Sequence, residues 1–191
     1  VEGLPSSDAR GELDKYTEVL RANGHPHPVF ELAIRWLADN VPPSQARCLV
    51  HGDFRLGNLM VTPENGVVAI LDWELAHIGD PMEDLGWPCV PSWRFGQHQN
   101  PVGGFGQRED FYAAYEAAGG TIDRAAVRFW EILGTLKWGI MCTMMATAFT
   151  SGADRTVERA AIGRRASEAE IDLLRMLEAV SYTHLTLPTI A

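Results

Sequence analysis

The stretch LMVTPENGVVAIL, residues 59–71, constrains the local geometry of this chain more tightly than any other. Two β-rich runs, LMV at 59–61 and VVAIL at 67–71, flank TPENG, whose Asn65-Gly66 pair suits a tight turn. Counting outward from that turn predicts an antiparallel pair with Asn58 beside Leu71 and Asp72 at its open end. Immediately ahead runs HGDFRLGN, residues 51–58, which crowds a histidine, an aspartate, an arginine and an asparagine before an apolar strand. A third short apolar run, CLV at 48–50, precedes it.

The rest of the pattern is helical. Ser7 is placed to cap a helix in which Leu13, Tyr16 and Leu20 share a face, and Gly24 stops it. HPHP at 25–28 makes a stiff turn, after which Phe30, Ile34 and Leu37 recur at helical spacing until Val41-Pro42-Pro43. A Gly- and aromatic-rich loop, 91–107, leads to a helix near Glu109 to Ala118. Residues 123–149 are apolar on most faces, as a central buried helix should be. Asp154 is expected to cap a final helix with Val157, Ala161, Ile171, Leu174 and Leu177 on its apolar stripe. One lobe therefore spans 1–180, and SYTHLTLPTIA at 181–191 is set aside as a non-native or disordered tail.

Charge narrows the classes of partner. Sixteen Lys and Arg against 25 Asp and Glu give the 191 residues a formal charge of −9, with no basic run to bind nucleic acid. Cys48, Cys89 and Cys142 are scattered and form no C-x-x-C pair, which suits reduced thiols in a cytoplasmic protein. No uninterrupted apolar run reaches the roughly 18 residues of a membrane span, so no membrane partner is expected. The first residues carry neither an initiator Met nor a signal-peptide layout, and the chain reads as one entered midway.

The spacing H-x-D-x-x-x-x-N, with a further Asp after a hairpin, is what phosphoryl transfer needs: a carboxylate to take the acceptor's proton, and oxygen ligands for magnesium. Asp53 is the candidate base, and Asn58 and Asp72 the candidate ligands. Magnesium prefers oxygen and keeps several waters, so one carboxamide and one carboxylate alongside ATP phosphates suffice. Two other readings stay open. A metal-dependent hydrolase would gather His51, Asp53 and Asp72 around one ion, and a pseudokinase-like module would bind without catalysing.

LVHGDFRLGNLMV followed by ILDWELAHIGDPMEDLGW resembles the catalytic core of the aminoglycoside phosphotransferase family, which is similar to protein kinases in its larger lobe. HPHP, GTLKWGIM and SGADRTVERAAIGRR extend the likeness over about residues 8–178 and resemble the branch fused to acyl-CoA dehydrogenases. The resemblance implies an α+β fold: a mostly helical kinase-like C-lobe with a small β-hairpin at its active edge, the N-lobe being absent. It implies ATP and Mg2+ as cofactors, a small-molecule hydroxyl as acceptor, Asp53 as catalytic aspartate, and Asn58 and Asp72 as magnesium ligands. Asp84 would support the loop backbone, His51 would orient it, and Arg55 would offset charge at the transferred phosphate. Gly52 stands where protein kinases have an arginine and DWE replaces DFG, so an activation segment is not implied. A partner ATP-binding lobe would precede these residues, and no Gly-rich loop or V-A-I-K-like stretch occurs before His51. The fragment alone is therefore expected to be nearly inactive.

Around this core the assignments are less specific. Trp93, Arg94 and Phe95, on a loop, are candidate acceptor contacts. Trp87, Trp138, Met141, Met144 and Met145 fit core packing better than a pocket. Glu74 reads as a solvated carboxylate, and Asp80 as a turn former before Pro81. The acceptor itself stays open among aminoglycosides, hydroxyacyl thioesters, choline-like amines and sugars.

Overall fold

A computed structural model describes residues 3–43 and 47–183. Seven helices and four short strands appear among them: α1 (Ala9–Ala22), α2 (Pro28–Asp39), β1 (Cys48–Val50), β2 (Leu59–Thr62), β3 (Gly66–Ile70), β4 (His77–Gly79), α3 (Met82–Gly86), α4 (Arg108–Ala117), α5 (Arg124–Ser151), α6 (Val157–Gly163) and α7 (Ala166–Thr183). The fold is mostly helical with two small antiparallel sheets.

Helix α5 is the axis. Asp123 starts it by accepting from the amides of Ala125 and Ala126, both at 3.0 Å, and left-handed Gly152 ends it. By length and composition it could cross a membrane, but here the other helices cover it. Phe129, Ile132, Leu136 and Ile140 are almost fully buried, alongside Leu13 of α1, Phe30 and Leu37 of α2, and Leu173 of α7. Each such side chain contributes about 1.5–3 kcal/mol by leaving water. Gly86 lets α3 press onto α5: a Cβ there would lie 2.7 Å from Trp130 Cβ.

The hairpin pairs as counted, with Leu59 opposite Ile70, Met60 opposite Ala69, then a bulge, and Thr62 opposite Gly66. The CLV run is also a strand, but its partner β4 has no counterpart in the sequence reading. Three other expectations need correcting. Asp8, not Ser7, caps α1, its carboxylate accepting from Gly11 N at 2.8 Å. The expected final helix is two helices, and Thr156 rather than Asp154 caps the first. The apolar stripe shifts accordingly: Val157, Ile171 and Leu174 are exposed, while Ala169, Leu173, Met176 and Leu177 are buried. Of the tail, 181–183 continue the α7 backbone and 184–191 lie outside the described residues.

Candidate active site

The loop between β1 and β2 is held from behind. Val50 is fully buried, and the chain then turns at Gly52, where φ is +80° and a Cβ would fall 2.8 Å from Leu75 O. Only glycine fits both demands. Asp84 on α3 takes the two amides of this turn, His51 N at 2.6 Å and Gly52 N at 3.0 Å, one on each carboxylate oxygen. Burial raises the Asp84 pKa, and the two amide bonds work against that rise.

His51, 2% exposed, ties the loop to the hairpin. Its Nδ1 accepts from Asp53 N at 3.1 Å, so Nε2 carries the proton that it donates to Leu71 O at 2.8 Å. With both ring nitrogens occupied, no lone pair remains for a metal. Among the described residues no group of three or more His, Cys, Asp and Glu side chains could hold an ion, which removes the geometric basis for the hydrolase reading.

Asp53 is closely surrounded. Its Oδ1 accepts from Trp87 Nε1 at 2.7 Å and Arg55 Nε at 3.1 Å, and its Oδ2 from Asn58 Nδ2 at 2.7 Å. The Arg55 guanidinium also lies 5.2 Å from the centre of the Trp93 ring. Arg55 is thus drawn back onto Asp53 and Trp93, a position from which a phosphate would have to recruit it.

The backbone brings Asn58 beside Leu71, whose N donates to Asn58 O at 2.8 Å, and Asp72 follows one residue on. Asn58 is buried and spends its amide protons on Asp53, leaving its carbonyl oxygen without a partner among the described residues. Asp72 is exposed and left-handed, with φ 65° and ψ 60°, a conformation that costs a non-glycine residue about 1–2 kcal/mol. One free carboxamide oxygen and one free carboxylate, on Asn58 and on the residue after its partner Leu71, are hard donors of the kind that fit magnesium.

The three candidate acceptor contacts go different ways. Trp93 is 7% exposed and packs between Trp87 and Trp138, at centroid distances of 5.3 and 4.9 Å. Arg94 turns inward, donating to Cys89 O at 2.7 Å and Glu131 at 3.1 Å, and is not presented to a ligand. Phe95, 70% exposed, edges a groove of about 350 Å³ that Arg165 and Arg175 also line. Glu74 is exposed, and Asp80 is a buried turn residue accepting from Met82 N and Trp130 Nε1, both at 2.9 Å.

Sequence reasoning took Trp87 for plain core, yet it holds Asp53. The signal was its place three residues after Asp84, which puts both side chains on one helical face toward the loop.

A sequence profile of the phosphotransferase enzyme family (APH) matches residues 5–130. The chain belongs to this family. Its phosphotransferase likeness extends to solved structures: a Ralstonia eutropha protein provisionally designated an aminoglycoside phosphotransferase superposes with a TM-score of 0.74 at 25% identity. That match covers 92% of this chain and 57% of the Ralstonia chain. Macrolide 2′-phosphotransferase type I shares the fold, with a TM-score of 0.55 at 18% identity, covering 90% of this chain and 50% of that one. Among curated relatives, mouse acyl-CoA dehydrogenase family member 10 is 48% identical over 64 residues, 33% of this chain and 6% of that protein. Human acyl-CoA dehydrogenase family member 11 is 36% identical over 86 residues, 44% of this chain and 11% of that protein. The chain thus spans a small part of the curated relatives it matches.

Proposed function

We propose that these residues form the catalytic lobe of an ATP- and Mg2+-dependent cytoplasmic phosphotransferase acting on the hydroxyl of a small molecule. The observation that carries this is at the open end of the hairpin, where Asn58 bonds both Leu71, the residue before Asp72, and the Asp53 carboxylate. Asn58 and Asp72 would hold the metal, which when bound supplies positive charge to the phosphates. Asp53 would receive the proton of the acceptor hydroxyl as the oxygen attacks the γ-phosphorus of ATP and the bond to the bridging oxygen breaks, releasing ADP, while Arg55 leaves Asp53 to meet the charge on the transferred group. Trp87 and Asn58, donating to opposite carboxylate oxygens, keep Asp53 from turning away as Arg55 moves.

The nucleotide needs a second lobe, for which the hairpin offers an apolar platform: Met60, Val61, Val67 and Val68 are each about half exposed. We place an N-terminal ATP-binding lobe against that platform, in keeping with the 57% of the Ralstonia chain that is matched. The test restores the upstream coding region and screens hydroxylated metabolites for an ATP-dependent mass gain of one phosphoryl group. Asp53→Asn should abolish turnover while sparing nucleotide binding, whereas full activity in that variant would reject the assignment. The 191 residues alone should show negligible turnover.

A further inference from the structure

Lys137 lies in the middle of α5, beyond the family-matched residues, with only 8% of its surface exposed. Its ammonium donates to Gly52 O at 3.3 Å and stands 4.7 Å from the centre of the Trp87 ring and 5.6 Å from that of Tyr16. Gly52 O belongs to the peptide whose nitrogen is that of Asp53, and the Trp87 indole N–H is bonded to Asp53 Oδ1. Lys137 therefore touches two supports of Asp53 without touching Asp53 itself.

We propose that Lys137 is a positioning residue: it fixes the Gly52–Asp53 peptide and the Trp87 ring, and so aims the Asp53 carboxylate. An ammonium suits the task because its bond to a buried carbonyl is charge-assisted and an aromatic face attracts a cation. Glu12 and Tyr16 of α1 and Glu83 of α3 line the same small cavity, and His77 of β4 is bonded to Glu83 at 3.2 Å. Two carboxylates thus face three basic groups, Lys137, His77 and, from the outer side, Lys15, which is bonded to Glu12 at 3.4 Å. The cavity holds only about 10 Å³, room for at most one water, so no ligand competes for the ammonium. For its catalytic consequence the proposal rests on the phosphotransferase reading, but its geometry does not.

The test has two arms. Lys137→Met takes a positive charge from beside the buried Glu83, which keeps its bond to His77, so Lys137→Met/Glu83→Gln is compared with Glu83→Gln alone, in this chain, by amide exchange and the Trp87 indole N–H resonance. Loss of the clamp should speed exchange at the Asp53 amide about tenfold and shift the indole signal, and Lys137→Arg should change both less. In the lobe-restored enzyme, Lys137→Met should lower kcat by about a hundredfold with KM for ATP unchanged, and Lys137→Arg should recover much of it. Identical spectra for the double variant and Glu83→Gln would overturn the proposal, as would an unchanged kcat. A double variant that fails to fold where Glu83→Gln folds would assign Lys137 to packing alone and also overturn it. A wild-type enzyme without phosphotransfer would sink the functional reading, and the spectra would then decide the clamp by themselves.

Discussion

Glu131 offers the sharpest test of how the lobe holds together. It is 1% exposed, in the first third of α5, and three guanidinium groups meet on it: Arg108 at 2.7 Å and Arg94 at 3.1 Å on one oxygen, Arg128 at 3.1 Å on the other. Arg94 follows Trp93 and Arg108 opens α4, so one carboxylate ties both ends of the intervening loop to the core helix. Glu131→Gln keeps the shape, removes the charge and leaves three cations facing one another. Stripping one partner from a buried ion pair costs about 3–5 kcal/mol. Arg108 and Arg128 have side chains 27% and 30% exposed, and the water that reaches them screens part of that cost. Arg94, at 14%, has no such relief, and burial already pulls its guanidinium below the ordinary value. The lower end, about 3 kcal/mol, follows, which for a chain of this size lowers Tm by about 6–12 °C. Thermal unfolding followed by circular dichroism reads the shift, with Glu109→Gln, which cuts an exposed pair with Arg124, as the control that should change little. A fall of less than about 2 °C for Glu131→Gln would show that water already solvates the cluster, refuting the reasoning.

Two further outcomes are expected. The His77 pKa is raised from 6.5 to about 9, chiefly by the hydrogen bond to Glu83, so the stability it contributes is full below pH 6.5 and drains away as pH rises through about 9. Tm should decline over that window, and His77→Gln should flatten the decline; an equal slope in both proteins contradicts the assignment. Asp72→Gly relieves a left-handed backbone cost of about 1 kcal/mol and should hold or raise Tm, and in the lobe-restored enzyme it should remove the proposed magnesium-dependent turnover. A clear drop in Tm on calorimetry would show that the Asp72 carboxylate stabilises the fold rather than waiting for a ligand.

The hairpin was legible because its information is local: Asn65-Gly66 and two β-rich runs specify the turn, and the turn specifies which residues face each other. The meeting of Asn58 with Leu71 follows from counting alone. Strand β4 was not legible, since three residues, HIG, carry no periodicity and their partner β1 lies far back in the chain. The last helices misled because one phase was carried through a break. Gly163 packs on Ala146, where a Cβ would come within 2.8 Å of the Ala146 backbone, and the helix restarts at Ala166 with its apolar face rotated. Ser7 and Asp8 are both competent caps, and the choice falls to where Ser7 N is spent, on Ile78 O at 3.1 Å. Trp87 looks like core by composition, and both it and Lys137 are buried. Their polar atoms acquire meaning only once Gly52 and Asp53 are beside them.

That contrast answers why so much polarity stands at the mouth of a strand. The side of the loop facing α3 and α5 has its groups engaged: two amides on Asp84, a carbonyl on Lys137, one carboxylate oxygen on Trp87. The side facing the hairpin's open end keeps the Asn58 side-chain oxygen, Oδ1, and the Asp72 carboxylate without partners among the described residues. In the proposed phosphotransferase, fixing the Asp53 carboxylate in advance would remove reorganisation from the reacting step, and fixing it from behind would leave its approach open. The rigidity comes from α5, whose burial supplies far more free energy than any single contact in the loop. A substitution deep in that helix should therefore lower kcat through Asp53 before it unfolds the lobe, because the loop hangs from single hydrogen bonds of about 1 kcal/mol while the helix rests on a whole core.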